Sequence, residues 1–103
     1  MEIVARTDGA SLYLFLRGEI DEYSASTARR LADELADKHA RCARAIFDFN
    51  NVTFMDSTGI GFLIGRYKKF QRYGIPVYIK SPSASVDKIL SVSGVYSLLP
   101  KID

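Results

Sequence analysis

The run Phe54-Met55-Asp56-Ser57-Thr58-Gly59-Ile60-Gly61 sets an acid and two hydroxyls at a point where strand-like sequence gives way to helical sequence. A serine one step before a helix can cap it, its hydroxyl accepting an N–H bond from the first turn for about 1 kcal/mol. It can also stand exposed as a nucleophile or phosphate acceptor. A catalytic serine needs an activating base, and the only histidine, His39, falls near the end of another helix. Asp-Ser-Thr-Gly misses the aspartic-protease spacing by one residue. A nucleophile elbow would need glycine where Met55 stands. No glycine-rich run ends in Gly-Lys-Ser/Thr, and no His, Cys and acid cluster has metal-ligand spacing. The expectation is a protein that is not an enzyme, with no metal and no cofactor, whose serine is acted upon.

The elements around Ser57 say how it is held. Ala45-Ile46-Phe47-Asp48-Phe49 reads as a strand, and Asn50-Asn51 as a turn that reverses the chain. Ile60, Leu63, Ile64, Tyr67 and Phe70 recur at helical spacing, predicting a helix over 58–72 with that stripe on the core. Phe62 then lies on the opposite side, among Gly61, Gly65, Arg66 and Lys69. Two glycines inside one helix each cost about 1 kcal/mol relative to alanine, which close approach by a partner's backbone would explain. This face is expected to dock a partner beside Ser57.

A second cluster, Gly18-Glu19-Ile20-Asp21-Glu22-Tyr23, places acids at a strand end before a helix. The helix dipole favours them there by about 0.3–1 kcal/mol each. The alternative role is to meet a partner's basic residues at the sheet edge that carries Ser57. Glu19 is the stronger candidate, since Asp21 can instead pin the loop by bonding local amides.

The remaining chain alternates. Strands over 2–7 and 11–17 form a hairpin at Asp8-Gly9. A helix capped by Ser24 turns Ala28, Leu31, Ala32, Leu35 and Ala36 inward, with Arg29, Arg30, Asp33, Glu34 and Asp37 in solvent. Strand 44–49, the Ser57 helix and strand 75–80 form a βαβ unit with a right-handed crossover. Ser83 or Ser85 opens a last helix with Val86, Ile89 and Leu90 inward, Gly94 closes it, and 95–99 run extended. The expectation is one α/β domain over 1–103, a small four- to five-stranded mixed sheet with helices packed on it.

Composition narrows the class. A net charge of +2 spread without basic blocks argues against nucleic acid as a partner. Apolar stretches are strand-sized and the N-terminus lacks a signal-peptide pattern, so no membrane association and a cytoplasmic location are expected. The single Cys42 agrees with a reducing compartment.

The Phe54–Gly61 run, continued by Gly65-Arg66-Tyr67-Lys68, resembles the phosphorylation loop and following helix of the bacterial anti-sigma factor antagonists, the single-domain STAS family. Arg17-Gly18-Glu19-Ile20-Asp21 with Ser24-Ala25 is similar to the family's Gly-Glu-Leu-Asp stretch, and Ile89-Leu90-Ser91-Val92-Ser93-Gly94-Val95 to its late helix and glycine stop. The Gly65-Arg66-Tyr67-Lys68 run is like the sporulation sigma-F branch, while Thr58 is like the general-stress branch. The resemblance implies phosphorylation of Ser57 by an anti-sigma factor serine kinase using ATP, and reversal by a serine phosphatase. The unphosphorylated form would bind the kinase and free the sigma factor; the phosphorylated form would let go. Glu19, Asp21, Asp56, Thr58, Gly59, Ile60, Gly61, Phe62, Gly65 and Arg66 are expected at the partner interface. A general-stress role, or a passive STAS binding module with an unmodified Ser57, are the alternatives.

Overall fold

The computed structural model describes all residues, Met1–Asp103. Strands β1 (Glu2–Asp8) and β2 (Ser11–Ile20) pair antiparallel through the Asp8-Gly9 turn. Helix α1 (Ala25–Lys38), β3 (Arg44–Met55), α2 (Thr58–Gln71), β4 (Val77–Lys80), α3 (Ala84–Ser93), a 3-10 turn at Val95–Ser97 and β5 (Lys101–Ile102) follow. The sheet order is β1-β2-β3-β4-β5, with β2 through β5 mutually parallel. This is the expected α/β mixed sheet, with five strands.

Two boundaries differ from expectation for local reasons. Asn50-Asn51 does not reverse the chain: β3 continues to Met55, still paired with β2. The strand absorbs the polar pair as irregularities. Two steps along β2, from Phe15 to Arg17, face three along β3, from Asp48 to Asn51, and the single step Gly18 to Glu19 faces two, Val52 to Phe54. The Asp48 carboxylate accepts the Asn50 N–H at 2.9 Å within the first. The chain after Gly94 is not extended either. Gly94, at φ 79°, ends α3 in the left-handed region, and a 3-10 turn precedes the short β5. Ser83 rather than Ser85 caps α3, accepting the Val86 N–H.

One sheet face and the helices enclose the core. Leu12, Leu14 and Leu16 of β2 and Phe47 and Phe49 of β3 meet Ala28, Ala32 and Ala36 of α1, Leu63 and Phe70 of α2, and Val86 and Leu90 of α3. The alanine stripe lets α1 lie close to the sheet. On the other face Tyr13, Ile46 and Tyr78 stand side by side in register across three strands.

The largest departure from expectation is the rotation of α2. Its buried residues are Gly59, Phe62, Leu63, Arg66 and Phe70, while Ile60, Ile64 and Tyr67 are half-buried on one flank. Phe62 is 5% exposed and packs edge-on against Phe47, ring centroids 6.2 Å apart. The expected outward phenylalanine is therefore a core residue. The cause is charge pairing between helices. Arg66, only 4% exposed, brings Nε to 2.7 Å from Asp33 Oδ1 of α1 in an ion contact, and its Nη1 donates to the Phe62 carbonyl. One turn further, Asp37 accepts from Lys69 Nζ at 2.8 Å and from the Tyr73 hydroxyl. Asp33 and Asp37, read from spacing as solvent-facing, thus meet Arg66 and Lys69, read as a docking face. Hydrogen bonding to Lys69 and Tyr73 holds the Asp37 carboxyl below its usual range.

The mouth of α2 sits tight on the sheet. A Cβ at Gly59 would fall inside the Met55 side chain and reach Ile20 Cγ2 at 3.4 Å, whereas one at Gly61 meets nothing within 4 Å. In the first turn of α3, Asp87 accepts from Tyr96 Oη at 2.6 Å and Lys101 Nζ at 2.9 Å, tying the helix to the 3-10 turn and β5.

Three stability outcomes follow from these contacts. Phe62→Ala should cost about 3–5 kcal/mol in urea unfolding, as a core truncation does. Gly61→Ala should stabilise by about 0.4–1 kcal/mol while Gly59→Ala destabilises, the clash at Met55 outweighing the helix gain. The bonds from Tyr96 and Lys101 lower the Asp87 pKa, so its contribution is complete above the ordinary carboxylate value of about 4 and is lost as pH falls through the depressed value. Melting curves of Asp87→Asn should therefore lie below wild type at pH 7 and converge with it in acid.

Candidate functional site

Ser57 stands between the end of β3 and the first turn of α2, exposed, with φ −62° and ψ −20°. It is already helical in backbone and makes no side-chain capping bond. The cap is Asp56, whose Oδ1 accepts the Thr58 N–H at 2.8 Å. The expected capping role therefore belongs to the preceding residue, leaving the Ser57 hydroxyl uncommitted. The turn is anchored from below by Asp56 N–H donating to the Ile20 carbonyl at 3.3 Å. Gly59 seats the helix on Met55.

The residues expected at a partner interface divide between the two flanks of α2. On the α1 side, Thr58, Gly61, Phe62, Gly65 and Arg66 line a groove of about 390 Å³ with Ala25 and Arg29. Gly61 is exposed and Gly65 half-exposed, but Phe62 and Arg66 contribute only the edges of buried groups. On the α3 side, Ser57 and Ile60 line a shallow, almost wholly apolar cleft of about 360 Å³ with Lys88, Ile89, Val92 and Ser93. The serine opens onto this second cleft. The α3 residues were not anticipated; their signal was Val92, which extends the apolar arc past Ile89 toward solvent and is 80% exposed.

The acidic cluster lies at the same sheet edge. Pairing sets Glu19 opposite Phe54 and Ile20 opposite Met55, so the end of β2 runs beside the Ser57 turn. Glu19 is exposed. Asp21 is spent locally, its Oδ1 accepting the N–H groups of Tyr23 at 2.9 Å and Ser24 at 3.0 Å, in the loop-pinning role. Ser24 Oγ in turn donates to the Glu19 carbonyl at 2.8 Å and makes no side-chain capping bond to α1. Tyr23 and Phe54 are both exposed.

Other chemistry-bearing residues lie elsewhere. His39 and Cys42 share a cleft at the opposite end of α1, with Lys38 and Arg41. Burial pushes the Cys42 thiol up, away from the reactive thiolate. No group of three or more His, Cys, Asp or Glu side chains is placed to hold a metal ion, and no helix is long and apolar enough to cross a membrane.

Residues 2–103 match the STAS domain family. The anti-sigma F factor antagonist of Paenibacillus polymyxa is 30% identical over 92 residues, spanning 89% of this chain and 78% of the relative. The anti-sigma-B factor antagonist of Bacillus subtilis is 29% identical over 84 residues, 82% of this chain and 74% of its own. Among solved structures, the anti-sigma factor antagonist SpoIIAA in its unphosphorylated form superposes with TM-score 0.79 at 20% identity, covering 99% of this chain and 89% of that one. The phosphorylated Bacillus SpoIIAA gives 0.69 at 20% identity, with 99% and 92% covered. By the span of the domain match and the identity to a relative covered over most of its length, this chain belongs to the STAS domain family, in its anti-sigma factor antagonist branch.

Proposed function

We propose that the chain is an anti-anti-sigma factor of the bacterial cytoplasm whose grip on an anti-sigma factor serine kinase is switched by phosphorylation of Ser57. The observation that carries this reading is the state of that hydroxyl: exposed, free of any capping bond, and held on the rim of an apolar cleft. The unphosphorylated surface is one on which a partner can lie flat, with Ile60, Ile89 and Val92 to cover, while Glu19, exposed at the end of β2 opposite Phe54, is free for a separate basic contact. Binding there displaces the sigma factor from the kinase.

In the modifying step Ser57 Oγ attacks the γ-phosphorus of ATP. The bond from that phosphorus to the bridging oxygen breaks, ADP leaves, and the hydroxyl proton passes to a base on the kinase. The product carries about −1.5 to −2 charges beside Asp56. If a negative group of the partner lies within about 4 Å, repulsion of about 4 kcal/mol at an effective dielectric near 20 weakens binding roughly a thousandfold. A serine phosphatase restores the binding form.

The sporulation sigma-F pathway is the better assignment, on the 30% identical sigma-F relative and the Gly65-Arg66-Tyr67-Lys68 run. The 29% identical sigma-B relative and Thr58 favour a general-stress role as the second reading.

Incubation with the anti-sigma factor kinase from the same organism and Mg-ATP should add one phosphoryl group by intact mass, located to Ser57 by fragmentation and absent in Ser57→Ala. Ser57→Asp should bind the kinase far more weakly than wild type in calorimetry. An unmodified protein beside an active kinase, with Ser57→Asp binding unchanged, would instead identify a passive binding module.

A further inference from the structure

A phosphoryl group on Ser57 needs a counter-charge, and α2 does not supply one in the usual way. Free amides at a helix N-terminus hold phosphate well. Here the Thr58 N–H is taken by Asp56 Oδ1 at 2.8 Å, the Gly59 N–H by the Asp56 carbonyl at 3.0 Å, and the Ile60 N–H by the Ser57 carbonyl at 3.1 Å. Asp56 and Glu19 add negative charge at the same edge. Across the cleft, Ser93 Oγ is committed to the Leu90 carbonyl and the Val95 N–H. Lys88 is the only cation among the residues lining the cleft with Ser57. It is exposed and takes no part in the ion pairs of the fold, because its neighbour Asp87 pairs with Lys101.

We propose that Lys88 is the receptor for the Ser57 phosphoryl group within the chain, forming a latch between α2 and α3. This rests on the reading of Ser57 as the phosphorylated residue and deepens it. In the unmodified protein the Lys88 ammonium stays in water and its stem forms part of the cleft wall. After modification the ammonium donates to the phosphoryl oxygens in a charge-assisted bond, and the four-carbon stem crosses the cleft mouth over Ile60, Ile89 and Val92. Phosphorylation then does two things at once: it adds charge and it covers the apolar surface that a partner would bury.

The test needs no kinase. Phosphoserine is installed at position 57 during synthesis in wild type, Lys88→Met and Lys88→Arg, and the second phosphate ionisation is followed by 31P NMR titration. A nearby ammonium favours the dianion, so wild type and Lys88→Arg should titrate lower than Lys88→Met by about half a pH unit or more. Equal values in all three proteins would overturn the latch, showing the phosphate held by something other than Lys88. Lys88 is exposed, and circular dichroism of the three proteins checks that the fold is common to them. Because the phosphate is introduced chemically, failure of a kinase to modify Ser57 leaves this result standing, and the two readings fail separately.

Discussion

The contact on which the site depends is the absence of a side chain at Gly59. With no Cβ there, the first turn of α2 settles on Met55 and Ile20, the last residues of the two central strands. That contact fixes where the helix begins, and so where Ser57 stands relative to the sheet edge. Asp56 completes the arrangement: its N–H is tied to the Ile20 carbonyl and its carboxylate caps the helix. The serine between these two anchors has nothing to hold. Its hydroxyl is free because its neighbours do the structural work on either side.

The two flanks of α2 divide the labour. Toward α1 the helix is clamped by Asp33 with Arg66 and Asp37 with Lys69 and Tyr73, over a layer of Phe62 and alanines. Desolvation disfavours the Arg66 charge and lowers its pKa, and the Asp33 carboxylate opposes that loss. A guanidinium with that partner keeps its charge inside the structure. Toward α3 there is no ionic clamp. The surfaces meet through half-buried Ile60 and Ile89, leaving an open apolar cleft with the serine at one end. One flank is tied by ion pairs and the other is left open.

Much of this was legible in the sequence. The hairpin at Asp8-Gly9, the three helices and the alternation that forces a mixed sheet all follow from local spacing and turn chemistry. What misled was α2. Its apolar residues occupy more than half of its circumference, so periodicity alone leaves the direction of the core undecided. Taking the stripe of Ile60, Leu63, Ile64, Tyr67 and Phe70 as the buried face then turned Phe62 outward with Arg66 and Lys69. The deciding information was non-local: acids four residues apart on α1 matching bases three apart on α2, which only the packing of the two helices reveals. Asn50-Asn51 misled for a different reason. A long central strand can carry turn residues as bulges when a parallel neighbour supplies hydrogen bonds on both sides of them. The cleft beside Ser57 was invisible because most of its wall comes from α3, the last α-helix in the chain.

Strand order in the sheet is the same as strand order in the chain, so each new strand adds to the outer edge of those already formed. Such a sheet can grow as the polypeptide leaves the ribosome, with no strand inserted between two that are already paired. The hairpin, α1, β3 and the start of α2 suffice to form the turn that carries Ser57, whereas α3 emerges later. The Ser57 turn is thus assembled before the cleft that it borders. A chain caught during synthesis would carry the serine without the cleft until its last helix docked.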